Sequence, residues 1–402
     1  MSDTLLIRQD FPQLARTVYG KPLVYLDNAA TSLRPHSVIA RWIRSAERQT
    51  ANLHRAVHRT AVEATDAYEL ARDAVRAFIN APEREEVIFT SGATHSINLA
   101  AFGIGEAFIS AGDEIIVGEA EHHSNLVPWQ MMCARKGARL VKLPVADSGE
   151  LRTDLLPGLI GPQTKLVCVA HISNVLGLVN PVREVAEVCR EHGVMLLVDG
   201  AQGVVHQPVD VQALGCDFYA FSGHKMYCAP GTGVLWGRRG LLEQMPPMFG
   251  GGEMIDTVRW EGSTWAPLPR KFEAGTQDIS AVPCWVPAIE IQRQMAQPDD
   301  VRDYVYNALI GIPGLQLYGT TDDLSKKAPL FSFTVQGAHH EDLALILDKM
   351  GIAVRSGQMC AEPLMDRFGV TGMLRASFAP YNTMQEAEFF VSSLHKAVEM
   401  LR

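Results

Sequence analysis

The chain has 402 residues, of which 47% are hydrophobic and 20% are charged, as in an ordinary folded protein with an ample core. Its formal net charge of −9 argues against nucleic acid or an anionic membrane as a partner held by bulk electrostatics. The sequence contains no apolar run of membrane-spanning length. Residues 1–10 carry acids early and too short an apolar stretch for a signal peptide, so we expect a cytoplasmic protein.

The seven cysteines are scattered along the chain, without a C-x-x-C pair and without the spacing of a zinc site. In a cytoplasmic chain this pattern predicts free thiols, most of them small buried hydrophobic residues. It leaves room for one reactive nucleophile, and it gives no reason to expect a metal.

Short β-type runs alternate with helical stretches over most of the chain. The predicted strands are Val24–Leu26, Glu86–Thr90, Glu114–Val117, Arg139–Leu143, Lys165–Ala170, Val194–Val198, Phe218–Phe221 and Gly233–Trp236. Helices are predicted between them, for example over 60–79 and 181–192, which end near the stop residues Asn80 and Gly193. This alternation predicts an α/β fold with a doubly wound, mostly parallel sheet.

The pattern changes after Gly250, where Gly250–Gly252 and Trp265–Pro269 indicate loops and a crossover. The segments predicted beyond them are a helix over 286–295, a strand over Leu330–Val335, and helices over 341–350 and 384–401. We therefore expect two domains: a large one over 16–287, and a small α+β one formed by 1–15 and 288–402.

Two strand ends carry residues suited to pyridoxal 5'-phosphate (PLP). Asp199 follows the apolar run ending at Val198, at the edge where open α/β sheets bind ligands, and its carboxylate can keep a pyridinium nitrogen protonated. Lys225 follows the next run in Ser222-Gly-His224-Lys225, where an apolar pocket would lower its pKa and make it a Schiff-base nucleophile. Each motif alone is often a cap or a plain loop, but their order favours a PLP site.

Two further loops follow strands. In Ser91-Gly92-Ala93-Thr94 the backbone N–H groups and the Thr94 hydroxyl point where a phosphate would sit, although such a turn can also be a simple helix start. In Glu121-His122-His123 an imidazole could stack on a flat ring and move protons near neutral pH. A histidine pair can otherwise be structural or bind metal, but no partner cluster supports a metal here.

Taken together, a set of motifs resembles those of class V aminotransferase-fold cysteine desulfurases of the Suf/Csd type. The motifs are Leu26–Thr31, Ser91–Thr94, Glu121–Asn125, Val198–Gln202, Phe221–Lys225, Phe272–Thr276 and Arg355–Cys360. The resemblance runs from about residue 11 to residue 401. It implies the PLP-dependent transferase fold type I, with a large doubly wound domain and a smaller α+β C-terminal domain.

The resemblance also implies a role for each matching residue. Lys225 would form the Schiff base, Asp199 would pair with the pyridine nitrogen, Gln202 would bond the phenolate oxygen and His122 would stack on the ring. The phosphate would be bound by Ala93, Thr94, Ser222, His224 and, from the second subunit of a homodimer, Thr276. The substrate would be bound by Asn174 and by the carboxylate clamp of Arg355 and Arg375.

Cys360 is the cysteine that the chemistry selects. It lies between Gly357 and Pro363 in a loop-forming stretch just after Arg355, where a nearby cation favours thiolate. Met359 stands where the family usually has a histidine, which puts the acid-base tuning of the cysteine in question. Two other departures are His95 for a common glutamate and Cys228 for a usual glycine.

We therefore predict a PLP-dependent cysteine desulfurase. Lys225 would take the Cα proton of L-cysteine, the Cys360 thiolate would attack the substrate sulfur, and His122 or Lys225 would handle protons. The products would be L-alanine and a persulfide on Cys360. The resemblance suggests a small SufE-like protein as the sulfur acceptor and iron–sulfur cluster assembly, or another sulfur-using pathway, as the destination.

Two alternatives stay open at this point. A selenocysteine lyase or a cysteine sulfinate desulfinase would keep the fold and the lysine but depend less on Cys360. A non-catalytic sulfur-carrier subunit would retain PLP only as a structural element and would not require a nucleophile.

Overall fold

The structure, a computed structural model, describes residues 7–55 and 57–402, so residues 1–6 of the predicted N-terminal arm lie outside the described residues. Its strands are β1 (Thr17–Val18), β2 (Lys21–Pro22), β3 (Val24–Tyr25), β4 (Val87–Thr90), β5 (Glu114–Gly118), β6 (Arg139–Leu143), β7 (Thr164–Ala170), β8 (Met195–Asp199), β9 (Phe218–Ser222), β10 (Gly233–Gly237), β11 (Ile255–Arg259), β12 (Gly262–Trp265), β13 (Leu315–Tyr318), β14 (Leu330–Val335), β15 (Ile352–Ala353), β16 (Arg355–Gly357) and β17 (Met373–Ser377).

The helices, apart from single 3₁₀ turns, are α1 (His36–Arg48), α2 (Arg59–Phe78), α3 (Ala93–Phe108), α4 (Val127–Lys136), α5 (Leu156–Leu159), α6 (Val182–His192), α7 (Gly203–His206), α8 (Val211–Leu214), α9 (Arg239–Gln244), α10 (Trp285–Gln294), α11 (Asp299–Ile310), α12 (His340–Lys349), α13 (Glu362–Phe368) and α14 (Met384–Leu401). Within the described ranges, no helix is long and apolar enough to cross a membrane.

A seven-stranded sheet with the order β4-β10-β9-β8-β7-β5-β6 forms the centre of the molecule. Neighbouring strands are parallel except at β10, which runs antiparallel to both β4 and β9. Successive residues of β7 alternate between two cores, because Val167 and Val169 belong to one apolar cluster and Leu166 and Cys168 to the other. Burial on both faces explains the continuous apolar runs in the sequence, and it confirms the predicted α/β fold with a mostly parallel sheet.

The carboxyl ends of six strands lie at one edge of this sheet, since β4, β5, β6, β7, β8 and β9 all run in the same direction. The motifs that include Ser91, Glu121, Asp199 and Ser222 lie at the ends of β4, β5, β8 and β9 or in the loops after them, and Asn174 lies in the loop after β7. Motifs that are far apart in the sequence are thereby brought to one place.

The C-terminal region is built on a second sheet, antiparallel, with the order β13-β14-β17-β16. Helices α11, α12 and α14 pack on it and share its apolar core. Val24 and Leu26 also belong to that core, and β3 pairs with β15. The domain division at 16–287, with 1–15 and 288–402 in the small domain, stays our proposal.

The segment after Gly250 differs from the prediction. It contains an antiparallel hairpin, β11–β12, where the sequence indicated loops. Four of the five β11 residues and all four β12 residues are exposed, so the strands have no apolar alternation to reveal them. A cross-strand hydrogen bond of 2.7 Å between the hydroxyls of Thr257 and Thr264 helps to join them instead.

Candidate active site

A cavity of about 220 Å³ lies at the carboxyl edge of the large sheet, where the C-terminal region faces it. It is lined by Ala29, Ala30, Ala93, Thr94, His122, Ser124, Asn174, Asp199, Ala201, Ser222, His224, Lys225, Arg355, Met359, Cys360 and Arg375. Most of the residues singled out from the sequence are therefore brought together in one cavity.

Lys225 and Asp199 both line the cavity. Asp199 ends β8, and its Oδ1 accepts a hydrogen bond of 2.9 Å from the Ala201 N–H. Burial lowers the pKa of Lys225, although the neighbouring Asp199 carboxylate opposes the change. Burial likewise raises the pKa of Asp199 against the influence of Lys225. The amine is therefore made easier to deprotonate, as a Schiff-base nucleophile requires.

One end of the cavity is formed by the start of α3. Gly92 precedes the helix with φ +151°, and a Cβ on Gly233 of the adjacent strand would lie only 2.4 Å from the Gly92 Cα. Glycine is needed at Gly233 because a side chain there would run into the Gly92 backbone, and at Gly92 because of its positive φ. The Ser222 hydroxyl accepts from the Ala93 N–H at 2.7 Å and so lies directly at the helix N-terminus.

Further hydroxyl and imidazole groups surround this helix start. The Thr94 and Ser124 hydroxyls are 2.7 Å apart, and His224 Nδ1 lies 3.3 Å from the Thr31 hydroxyl. A helix N-terminus ringed by hydrogen-bond donors is suited to a phosphate. Ser124 lines the cavity but was not among the residues predicted from the sequence.

His122 lies in the loop after β5. Its Nδ1 accepts from the Ser124 N–H at 3.0 Å, which leaves the ring proton of the neutral tautomer on Nε2. Burial, together with the nearby Lys225, lowers the pKa of His122 to about 3. The imidazole is therefore uncharged at neutral pH and can stack on an electron-poor ring.

Two arginines on adjacent strands face the cavity from the C-terminal region. Arg355 and Arg375 are direct partners in the antiparallel pairing of β16 with β17. Arg375 is 3% exposed and donates to the Asn174 carbonyl at 2.8 Å and to Asp27 Oδ1 at 3.3 Å. Within the described residues, its buried Nε has no hydrogen-bond partner. Arg355 is exposed, and its guanidinium lies 3.8 Å from Asp27 Oδ2.

The Cys360 loop closes the opposite side of the cavity. Met359 and Cys360 have φ values of +54° and +56°, a left-handed conformation that costs a non-glycine residue roughly 1–3 kcal/mol. Two groups from loops of the large sheet hold this conformation. Asn174 Nδ2 donates to the Met359 carbonyl at 2.8 Å, and the His123 N–H donates to the Cys360 carbonyl at 2.7 Å. Cys360 itself is exposed, whereas the other six cysteines are buried.

Gln202 and Thr276 lie outside the cavity lining. The Gln202 amide is buried and donates to the carbonyl of Ala29, which does line it, at 2.9 Å. Thr276 is exposed on the segment before α10. Its predicted contact with the cofactor of a second subunit stays a prediction.

Several lining or supporting residues were missed by the sequence reasoning, namely Asp27, Ser124 and His123. Asp27 and Ser124 lie inside motifs that the sequence analysis quoted, so their position next to a strand end was the available signal. Their partners, Arg375 and Thr94, are far away in the sequence, and no local pattern predicts such a pairing.

The groups lining the cavity fit PLP. Donors at the start of α3 suit its phosphate, the Asp199 carboxylate suits its ring nitrogen, and the Lys225 amine suits its aldehyde. Because Gly92 and Gly233 have no side chains, neither residue covers the start of α3. In the part of the chain that the structure describes, no group of three or more His, Cys, Asp or Glu side chains could hold a metal ion.

Residues 24–390 match the family model "Aminotransferase class-V". The chain is 44% identical over 402 residues to a cysteine desulfurase of Klebsiella pneumoniae and 42% identical over 401 residues to a probable cysteine desulfurase of Vibrio cholerae, with 98% of each chain covered.

Solved structures agree with the sequence relatives. The cysteine desulfurase CsdA from Escherichia coli superposes with a TM-score of 0.90 at 38% identity, covering 99% of both chains. The apo cysteine desulfurase from Thermococcus onnurineus gives 0.93 at 35% identity, covering 99% of this chain and 98% of that one. The resemblance stated from the motifs and the predicted fold are confirmed. The chain belongs to the aminotransferase class-V family and, within it, to the cysteine desulfurases.

Proposed function

We propose that this protein is a PLP-dependent cysteine desulfurase that converts L-cysteine into L-alanine and leaves the sulfur as a persulfide on Cys360. One observation carries the proposal: a single cavity joins the amine of Lys225, the guanidinium of Arg375 and the exposed thiol of Cys360. A substrate with a carboxylate and a sulfur atom can meet all three groups at once. A carrier subunit that used PLP only as a structural element would need neither the thiol nor the arginine.

In this proposal PLP is held by Lys225, Asp199, Gln202 and His122 around the ring, and by Ala93, Thr94, Ser222 and His224 around the phosphate. Thr276 of a second subunit completes the phosphate site. When bound, PLP supplies an electron-withdrawing ring that makes the Cα proton and the Cβ–S bond of the substrate labile. The substrate carboxylate is held by Arg375 and Arg355, and Asn174 lies between them and the cofactor site.

The residues of the chain provide the proton transfers. Burial lowers the pKa of Lys225, so its amine can accept the Cα proton once it is free and later return a proton to carbon. His122 stays neutral with its proton on Nε2, so it stacks without adding charge. Asp27 orients Arg375 through its 3.3 Å contact, which fixes where the carboxylate binds.

The sulfur transfer balances without an outside oxidant or reductant. The Cys360 thiolate forms an S–S bond with the substrate sulfur while the Cβ–S bond breaks, and its electron pair leaves with the carbon. That carbon takes up a proton and becomes the methyl group of alanine. The protein is left as Cys360–S–S⁻ or its protonated form, and the sulfur passes next to a thiol of an acceptor.

The proposal is tested by incubating the holoenzyme with L-cysteine and no acceptor. We expect about one alanine per chain in the first turnover and a gain of ~32 Da on the peptide that contains Cys360, as for one added sulfur atom. Alanine without added mass on that peptide would overturn the role of Cys360. Faster turnover of selenocysteine or cysteine sulfinate, with no alanine from cysteine, would favour the alternative lyase activities.

We further propose that the enzyme acts as a cytoplasmic homodimer and gives its sulfur to a SufE-like protein that feeds iron–sulfur cluster assembly or another sulfur-using pathway. The exposed position of Thr276 supports the use of that residue by a second subunit. The acidic charge of the chain gives no support for a nucleic-acid or membrane partner. Light scattering of the holoenzyme should give twice the chain mass, and a monomeric active enzyme would refute the shared site.

A further inference from the structure

His123, the second histidine of its motif, makes two contacts with the Cys360 segment. Its backbone N–H donates to the Cys360 carbonyl at 2.7 Å. Its side-chain Nε2 accepts from the N–H of Glu362, the first residue of α13, at 3.1 Å. The two contacts lie on either side of Ala361, so one residue holds the backbone both at the cysteine and just after it.

We propose that His123 is a positioning residue that fixes the Cys360 thiol for attack on the substrate sulfur. This inference rests on the proposed function, in which Cys360 accepts that sulfur. His123 itself does not line the cavity and touches none of the reacting atoms, so it acts through the backbone of residues 360–362.

The chemistry of the imidazole explains why this side chain suits the task. The N–H groups of the first turn of a helix have no partner within the helix, and an acceptor there stabilises its start. Nε2 of a neutral imidazole is such an acceptor when the proton is on Nδ1. His123 therefore fixes where α13 begins, and the start of α13 fixes the end of the Cys360 loop.

The loop depends on such outside contacts because its own conformation is unfavourable. Met359 and Cys360 are both left-handed non-glycine residues, and Cys360 is exposed, so little packing of its own side chain holds it. On the other side, α13 is anchored, since Ala361, Leu364 and Met365 are buried in the core that covers one face of the large sheet. Asn174 and the His123 N–H fix the two left-handed residues, and the His123 ring fixes the junction to that anchored helix.

The test compares three variants of the holoenzyme. His123→Leu removes the acceptor, His123→Gln replaces it with an amide oxygen that can reach about the same place, and His339→Leu is the matched control. His339 also accepts from a helix N–H, that of Glu341 at 3.4 Å, but it is exposed at the start of α12 and does not line the cavity.

For His123→Leu we expect kcat for cysteine to fall about tenfold to a hundredfold, because a small displacement of a reacting group has effects of that size. KM for cysteine should change less than about threefold and the PLP absorbance should persist, since Arg375 and Lys225 are untouched. His123→Gln should recover most of kcat, and His339→Leu should match the wild type. Wild-type kcat in His123→Leu, or an equal loss in the Leu and Gln variants, would overturn the role of the ring.

Hydrogen exchange gives a readout that does not depend on turnover. The Glu362 amide should be protected in the wild type and in His123→Gln, and should exchange faster in His123→Leu; equal exchange in all three would also refute the inference. If the wild type yields no alanine from cysteine, the proposed function is refuted instead. Hydrogen exchange of the Glu362 amide would still show whether the His123 ring protects it. If the leucine variant does not fold, His123→Met repeats the deletion with a side chain of more similar length.

Discussion

The two walls of the cavity are built in different ways. The wall from the large sheet, called the buried wall below, consists of strand ends, and Asp199 and Ser222 are both buried there. Asp199 ends β8, which has a parallel strand on each side, and Ser222 ends β9, which lies between parallel β8 and antiparallel β10. The wall from the C-terminal region, called the exposed wall below, carries the exposed Arg355 and Cys360 together with the buried Arg375. Its Cys360 loop is held by contacts that cross from the large-sheet side. In the proposed function, cofactor binding depends on the first wall and sulfur acceptance on the second, so we expect substitutions to abolish one of them without the other.

Lys225→Ala should have the largest effect, because it removes the amine from the buried wall. We expect loss of the Schiff-base absorbance and of all activity on cysteine, selenocysteine and cysteine sulfinate. Lys271→Ala is the matched control: Lys271 is also buried, but its ammonium donates to the Leu242 and Glu243 carbonyls, away from the cavity. Wild-type turnover of cysteine by the Lys225 variant would refute the assignment.

Cys360→Ser changes only the exposed wall and should separate the two functions. The PLP spectrum should be kept and alanine formation from cysteine should fall by at least about a hundredfold, because a hydroxyl is a far weaker nucleophile toward divalent sulfur than a thiolate. Activity on selenocysteine and cysteine sulfinate should largely survive, since their leaving groups can depart without that attack. Persulfide found on another cysteine, such as the buried Cys228, would contradict the comparison.

Arg375→Ala removes the buried arginine of the wall from the C-terminal region. A charge-assisted hydrogen bond contributes about 1.5–3 kcal/mol, so we expect KM for cysteine to rise roughly tenfold to a hundredfold while PLP is retained. Arg355→Ala should raise KM less, because Arg355 is exposed and its charge is better screened. If Arg375→Ala releases PLP and substrate equally, the arginine supports the fold instead of binding the substrate.

The smallest expected effect is on the pH dependence of stability, through His122 in the wall from the large sheet. The pKa of His122 falls from its ordinary value near 6.5 to about 3, mainly through burial. Between these values the unfolded chain binds a proton that the folded chain does not, so acid lowers the free energy of unfolding by at most about 1.4 kcal/mol per pH unit. The stability that depends on the neutral His122 imidazole is fully present above pH 6.5 and is lost as the pH falls toward 3. In denaturant titrations, the free energy of unfolding of His122→Gln should fall less steeply between pH 6.5 and 4 than that of the wild type. An equally steep fall in both proteins would contradict the lowered pKa of His122.

Local sequence patterns predicted much of the fold and of the buried wall. The strand ending at Asp199 and the loop ending at Lys225 were readable because their apolar runs are buried on both faces and their polar residues come directly after. The strand over Arg139–Leu143 and the helix over 384–401 also have the bounds that the sequence indicated. These features could be predicted because they depend on residues that are close together in the sequence.

Features that depend on distant residues were not predictable in this way. The antiparallel insertion of β10 between β4 and β9 follows from pairing, which the apolar run of β10 does not encode. The β11–β12 hairpin lacks apolar alternation. The pairing of Asp27 with Arg375 and the two contacts of His123 join segments that are far apart in the sequence, and the exposed wall relies on just such contacts.

In the proposed function, the burial of every cysteine except Cys360 limits where the sulfur can go. A persulfide exchanges by thiolate attack, and a thiol enclosed in the core can neither reach Cys360 nor readily ionise, since burial raises the pKa of Cys189, Cys216 and Cys284 to about 12. No other thiol of the chain would therefore take the sulfur from the Cys360 persulfide. The sulfur would leave only when another molecule brings a thiol to the surface, so the lifetime of the loaded enzyme would be set by the supply of acceptor.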